Sequence, residues 1–117
     1  MTERLKLLFV CAQNKIRNVA AESLFRTSQE YEARSAGVNH DARVKVTAGL
    51  IGWADRIFVM EKEHRDRLRK KFRHDLEGKE VTCLFVPDEF DPMEPALLEV
   101  LRARLEPHVT VPEQRDA

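Results

Sequence analysis

The chain has 117 residues, 43% of them hydrophobic and 34% charged, which suits one soluble domain with a real core and is too short for two. Its 20 Lys and Arg residues balance 20 Asp and Glu residues, so the molecule as a whole has no field that would recruit nucleic acid or anionic lipid. No apolar run approaches the roughly eighteen residues of a membrane span, so no membrane role is expected.

Met1 to Lys6 is charged and leads into a short apolar segment without the pattern of a secretory signal, which gives a cytoplasmic expectation. The two cysteines, Cys11 and Cys83, have neither a disulfide-framework nor a zinc-site spacing, and at least one is a candidate for reactivity. His40, His64, His74 and His108 show no metal-ligand spacing. No metal and no cofactor is expected.

In chain order, Leu5 to Val10 is a near-continuous apolar, β-prone run, as in a strand buried on both faces. The polar loop Cys11-Ala12-Gln13-Asn14-Lys15-Ile16-Arg17 follows. Helical spacing begins after Asn18, a suitable N-cap, and runs through Val19, Ala20, Leu24 and Phe25 to near Ser28. Tyr31 to Ala36 reads as a short edge strand stopping at Gly37, and Thr47 as the cap of a short helix through Leu50, Ile51 and Trp53. Arg56 to Met60 is a clear strand, and Glu61 to Phe72 a charged helix. Val81 to Val86 reads as a fourth strand with Cys83 inside the core, and Pro87 to Pro92 as a loop. Pro95 to Leu105 is a helix with the apolar stripe Leu97, Leu98, Leu101 and Leu105. Residues 1–105 then form the domain and residues 106–117 a loosely held tail. This alternation predicts an α/β fold in three layers, a four-stranded parallel sheet with right-handed crossovers and helices on both faces. Ligands of such sheets sit beyond the carboxyl ends of the strands, where the loops after the first and fourth strands emerge.

A cysteine ending a buried strand, five residues, an arginine and a helix start together suit a tetrahedral dianion. The loop N–H groups of Ala12, Gln13, Asn14, Lys15, Ile16 and Asn18 form an anion nest, and the Arg17 fork grips two oxygens. The same positive partial charges favour the ionised sulfur of Cys11 as a nucleophile. Spacing by itself leaves a second reading open, with Cys11 an inert buried thiol and Arg17 a surface residue. Leaving-group protonation needs an acid on the same rim, and Asp88 and Asp91 lie in the right loop; ordinary turn chemistry also explains them. The basic run Lys62, Arg65, Arg67, Arg69, Lys70, Lys71 and Arg73 reads as a solvated helix face rather than a nucleic-acid surface, because acids are interleaved and no aromatic stacking surface accompanies it.

The run Leu7 to Arg17, with asparagine three places after the cysteine, resembles the first strand and phosphate loop of the low-molecular-weight protein tyrosine phosphatases. Ala21-Glu22, Ser35-Ala36-Gly37, His40-Asp41-Ala42-Arg43 and Ala54 to Met60 are similar to later family segments, and the likeness extends to about residue 105. It is nearest to a short bacterial branch of predicted phosphatases. The resemblance implies a sheet of order 2-1-3-4 with the phosphate loop after strand 1. It also implies Cys11 as nucleophile, Arg17 as phosphate clamp, and Asn14 bracing the loop through bonds that include Ser35. His40 comes with it as a supporting residue. Asp88 is preferred to Asp91 as the general acid because Asp88-Glu89-Phe90 keeps the family's aromatic two places on, which assigns Phe90 to the substrate pocket.

The activity implied is a metal-independent phosphatase of phosphotyrosine or another aryl phosphomonoester, on a phosphorylated protein or a small aryl phosphate, through a phosphocysteine. Arsenate reduction on the same fold, or oxyanion binding with little turnover, are the competing readings. Asn18 stands where the family has a serine or threonine that donates to the sulfur, so slow turnover is expected. The loop before His40 is short, which implies an open pocket, and Ile16 replaces a second cysteine found in many relatives.

Overall fold

A computed structural model of the chain describes residues 3–112. β1 (Leu5–Cys11) pairs in parallel with β2 (Tyr31–Gly37) and with β3 (Arg56–Val59), and β3 pairs in parallel with β4 (Val81–Cys83). The sheet order is β2-β1-β3-β4. This is the four-stranded α/β arrangement expected from the alternation of elements. The central position of β1 explains its near-continuous apolar run, since both of its faces are covered.

Alternate β1 residues feed two cores. Leu7, Phe9 and Cys11 face a cluster that includes Ala20, Ala21, Phe58, Met60, Leu97 and Leu101, built with α1 (Arg17–Ser23) and α4 (Pro95–Leu105). Leu8 and Val10 face Ala36, Ile51, Ile57, Val59 and Leu68 on the side of α2 (Ala48–Trp53) and α3 (Lys62–Lys71). Phe9 stacks between Phe25 and Phe58 with centroid separations of 5.7 and 5.5 Å, a geometry that adds to area burial.

Several boundaries differ from the sequence expectation. α1 starts at Arg17 with Ile16 as its N-cap, so Asn18 lies inside the first turn rather than capping it. Regular helix ends at Ser23, and 3₁₀-type bonds such as Phe25 N–H to the Glu22 carbonyl (3.1 Å) carry the chain on to Ser28. Thr47 caps α2 as expected, its hydroxyl accepting from Leu50 N–H at 3.1 Å. The regular part of β4 ends at Cys83, and two residues on Phe85 takes a left-handed φ of 54°. Leu84 and Val86 nevertheless still donate to the carbonyls of Val59 (2.8 Å) and Met60 (2.9 Å). The segment after α4 is docked rather than loose up to the last described residues: Val109 is buried, Arg56 Nη1 donates to the His108 carbonyl at 2.6 Å, and Thr110 N–H donates to the Tyr31 hydroxyl at 3.2 Å. Residues 113–117 of the expected tail lie outside the described residues. Among the described residues, no helix is long and apolar enough to cross a membrane.

Candidate active site

The loop after β1 turns back over the strand ends. Asn14, fully buried, adopts a φ of 58°, a conformation that asparagine tolerates better than most residues. That turn aims Asn14 N–H at Cys11 Sγ, 3.2 Å away. A cavity of about 130 Å³ opens over the sulfur, lined by Cys11, Ala12, Gln13, Lys15, Ile16 and Arg17, with Asp88 on its wall. Asp91 is not among the lining residues. It sits on the surface with its N–H toward Glu94 Oε2 at 3.3 Å. Phe90 is half-buried against the α1/α4 core instead of lining this cavity, whereas Phe85 is the exposed aromatic of the segment.

Arg17 is buried at the start of α1. Its Nη1 donates to Glu61 Oε2 at 2.6 Å and to the Val86 carbonyl at 2.8 Å. Among the described residues Nε and Nη2 make no hydrogen bond, which leaves donors on the guanidinium for a ligand in the cavity it lines. Glu61 is the N-cap of α3, and its backbone N–H donates to His64 Nδ1 at 3.2 Å in a reciprocal capping box. The Arg17 hydrogen bond holds the Glu61 carboxyl below its ordinary range, partly opposed by burial. Burial, with the nearby Arg17 charge, holds the His64 imidazole below its ordinary value of 6.5.

The braces of the loop differ from those the resemblance implied. Asn18 is fully buried, and its Nδ2 donates to Asn14 Oδ1 (2.7 Å) and to the Ala36 carbonyl (2.8 Å). Its side-chain amide is therefore committed away from Cys11 Sγ, and Asn18 is not among the residues that line the cavity. Ser35 is turned to Glu22, with Oγ donating to Oε1 at 2.5 Å, rather than to Asn14. His40 is exposed and lines a different, larger cavity beside α3. Cys83 is half-buried, not fully inside, and packs on the α2/α3 side of the sheet, opposite the face occupied by Cys11.

Three contributors were not singled out from sequence. Glu61 orients Arg17; its position just past a strand end was the available signal, because ligand-facing groups collect there. Arg43 Nε donates to the Asn14 carbonyl at 3.2 Å, and its own N–H donates to the Gln13 carbonyl at 3.1 Å. Gly37 lies beside the loop where a Cβ would come within 2.5 Å of the Ala12 carbonyl oxygen and 2.6 Å of Ala42 Cβ. Gly37 and Arg43 fall in segments whose likeness to the family was noted, but their contacts with the loop arise only across the fold.

Solved low-molecular-weight phosphatases share this fold. The enzyme SP-PTP of Streptococcus pyogenes, a low-molecular-weight protein tyrosine phosphatase, aligns with a TM-score of 0.73 at 15% identity, covering 91% of this chain and 94% of that one. The tyrosine phosphatase Wzb of Escherichia coli K30, solved with phosphate, gives 0.67 at 18% identity over 90% and 96%. The YwlE arginine phosphatase of Geobacillus stearothermophilus gives 0.60 at 22% identity over 88% and 84%. No protein-family profile matches the chain, and no curated protein matches it in sequence. The chain has the fold of the low-molecular-weight protein tyrosine phosphatases.

Proposed function

We propose that the chain is a metal-independent phosphatase that uses Cys11 as its nucleophile, with aryl phosphomonoesters such as phosphotyrosine as substrates. One observation carries this reading: Cys11, Arg17 and Asp88 line a single small cavity at the carboxyl ends of parallel strands. The likeness to tyrosine phosphatases supports it. In the first step the Cys11 sulfur forms a bond to phosphorus as the ester P–O bond breaks, and Asp88 gives its proton to the departing phenolate oxygen. Arg17 and the loop N–H groups hold the equatorial oxygens, where charge gathers. In the second step water attacks phosphorus, the Asp88 carboxylate takes its proton, and the S–P bond breaks to restore the sulfur. Arsenate reduction would need an external thiol, because Cys83 packs on the other side of the sheet.

Hydrolysis of p-nitrophenyl phosphate in the presence of a chelator tests the reading. The wild type is expected to turn over and to be inhibited by vanadate. Cys11→Ser should abolish activity, and Asp88→Asn should lower kcat by about 10²-fold or more, while Asp91→Asn stays close to wild type. Tight phosphate binding without any released product would instead make the protein an oxyanion binder.

A further inference from the structure

The cavity over Cys11 is smaller than a second concavity of about 550 Å³ between α3 and the segment that follows β2. Val38 and Phe72 supply its apolar surface over the buried Val46 and Leu68, and Lys45, Arg67, Lys70 and Lys71 surround it together with His40. Among the described residues, no aspartate or glutamate lines it. In a chain whose charges cancel overall, this is a strong local separation. Arg67 is held in place, with Nη1 donating to Asn39 Oδ1 at 2.6 Å and Nη2 to the Val38 carbonyl at 3.3 Å. Its contact with Glu63 is a loose 4.0 Å pair at the surface, outside the cavity.

This concavity shares a wall with the phosphate loop. Val38 N–H donates to the Cys11 carbonyl at 2.9 Å, and Asn39 N–H donates to the Ala12 carbonyl at 3.0 Å. The geometry points to a docking site for an acidic segment of a phosphoprotein substrate, with apolar residues of the segment on the partly exposed Val38 and Phe72 and its carboxylates on the surrounding cations. The inference rests on the phosphatase reading for its link to catalysis.

A nucleic acid fits the surface less well. Its backbone needs an extended basic track with aromatic faces for the bases, whereas Glu63, Asp66, Asp75 and Glu77 interrupt the surface of α3 and the turn after it. Short carboxylate side chains, by contrast, match cations set singly around a concavity.

The test uses a fluorescent, unphosphorylated peptide of Asp and Glu interspersed with Leu and Phe, beside a control with Asn and Gln in their place, read by anisotropy at low salt. The acidic peptide should bind and the amide peptide should not. Lys70→Glu/Lys71→Glu should weaken binding by about tenfold or more, and so should Lys45→Glu combined with Lys70→Gln on separate elements. Arg69→Glu/Arg73→Glu makes the same charge change outside the cavity lining and should weaken it by less than about twofold. Equal binding of the two peptides, equal losses in the two double reversals, or tighter binding of oligothymidylate than of the acidic peptide would overturn the proposal. With phosphotyrosine peptides, an acidic flank should lower KM, and Lys70→Glu/Lys71→Glu should remove that advantage. Binding of the acidic peptide by a protein that fails to hydrolyse p-nitrophenyl phosphate would sink the catalytic reading and leave the docking site standing.

Discussion

The Asn18 amide donates to the side chain of Asn14 and to the Ala36 carbonyl, so it ties the strained residue of the loop to the end of β2. The family-like expectation for this position was a donor to the sulfur; the donor that reaches Cys11 Sγ in the structure is Asn14 N–H. Asn18→Ala is expected to cost about 1–3 kcal/mol in urea unfolding, because buried acceptors lose their partner, and to lower phosphatase turnover as the loop relaxes. Asn18→Ser, too short to bridge Asn14 and Ala36, should lower turnover as well. A clear rise in kcat with serine would show that the missing hydroxyl, rather than the brace, limits the reaction. That Cys11 and Arg17 meet at one cavity was legible because both belong to a local pattern of strand, loop and helix. The contacts of Glu61 and Arg43 were not, since each reaches the site from another part of the chain.

Element boundaries decide how the loop is packed. β1 and β2 run in register up to the pair Cys11 and Gly37, and the chain after Gly37 then lies directly on the loop. Gly37 accommodates this approach by having no side chain, since the nearest obstacles to a Cβ include the backbone of Ala12 and Asn14. Gly37→Ala is expected to destabilise the fold by about 1–3 kcal/mol and to reduce turnover of p-nitrophenyl phosphate by more than that loss explains at a temperature where the variant is folded. Unchanged kinetics in a folded variant would show that the loop tolerates displacement. The strand at Tyr31 to Gly37 was readable from its alternation and its terminal glycine. The early end of β4 was not, because the left-handed turn at Phe85 occurs at a residue type that gives no sign of it.

At the scale of the whole molecule, proton uptake links stability to the site. His64 is buried, with Nδ1 accepting from Glu61 N–H, and its folded value lies below its ordinary 6.5. Below that pH the unfolded chain binds the proton more readily than the native one, so stability is full above 6.5 and declines as pH falls toward the lowered folded value. Glu61 acts in the same direction at lower pH, below its ordinary 4.5. Urea unfolding at pH about 7.5 and about 5.5 should show lower stability at the acidic pH, and His64→Gln should shrink the difference. An identical difference in that variant would place the pH dependence elsewhere.

The order of strands and helices, the parallel sheet and the position of the cysteine loop were determined by sequence alone, because apolar periodicity and turn chemistry are local properties that the chain displays without being folded. The partners of Asn18, Ser35 and His40, the docking of Val109, and the basic concavity beside α3 were decided only in the tertiary structure. Each of these depends on which distant segments meet, and a buried donor takes the nearest acceptor that packing leaves it.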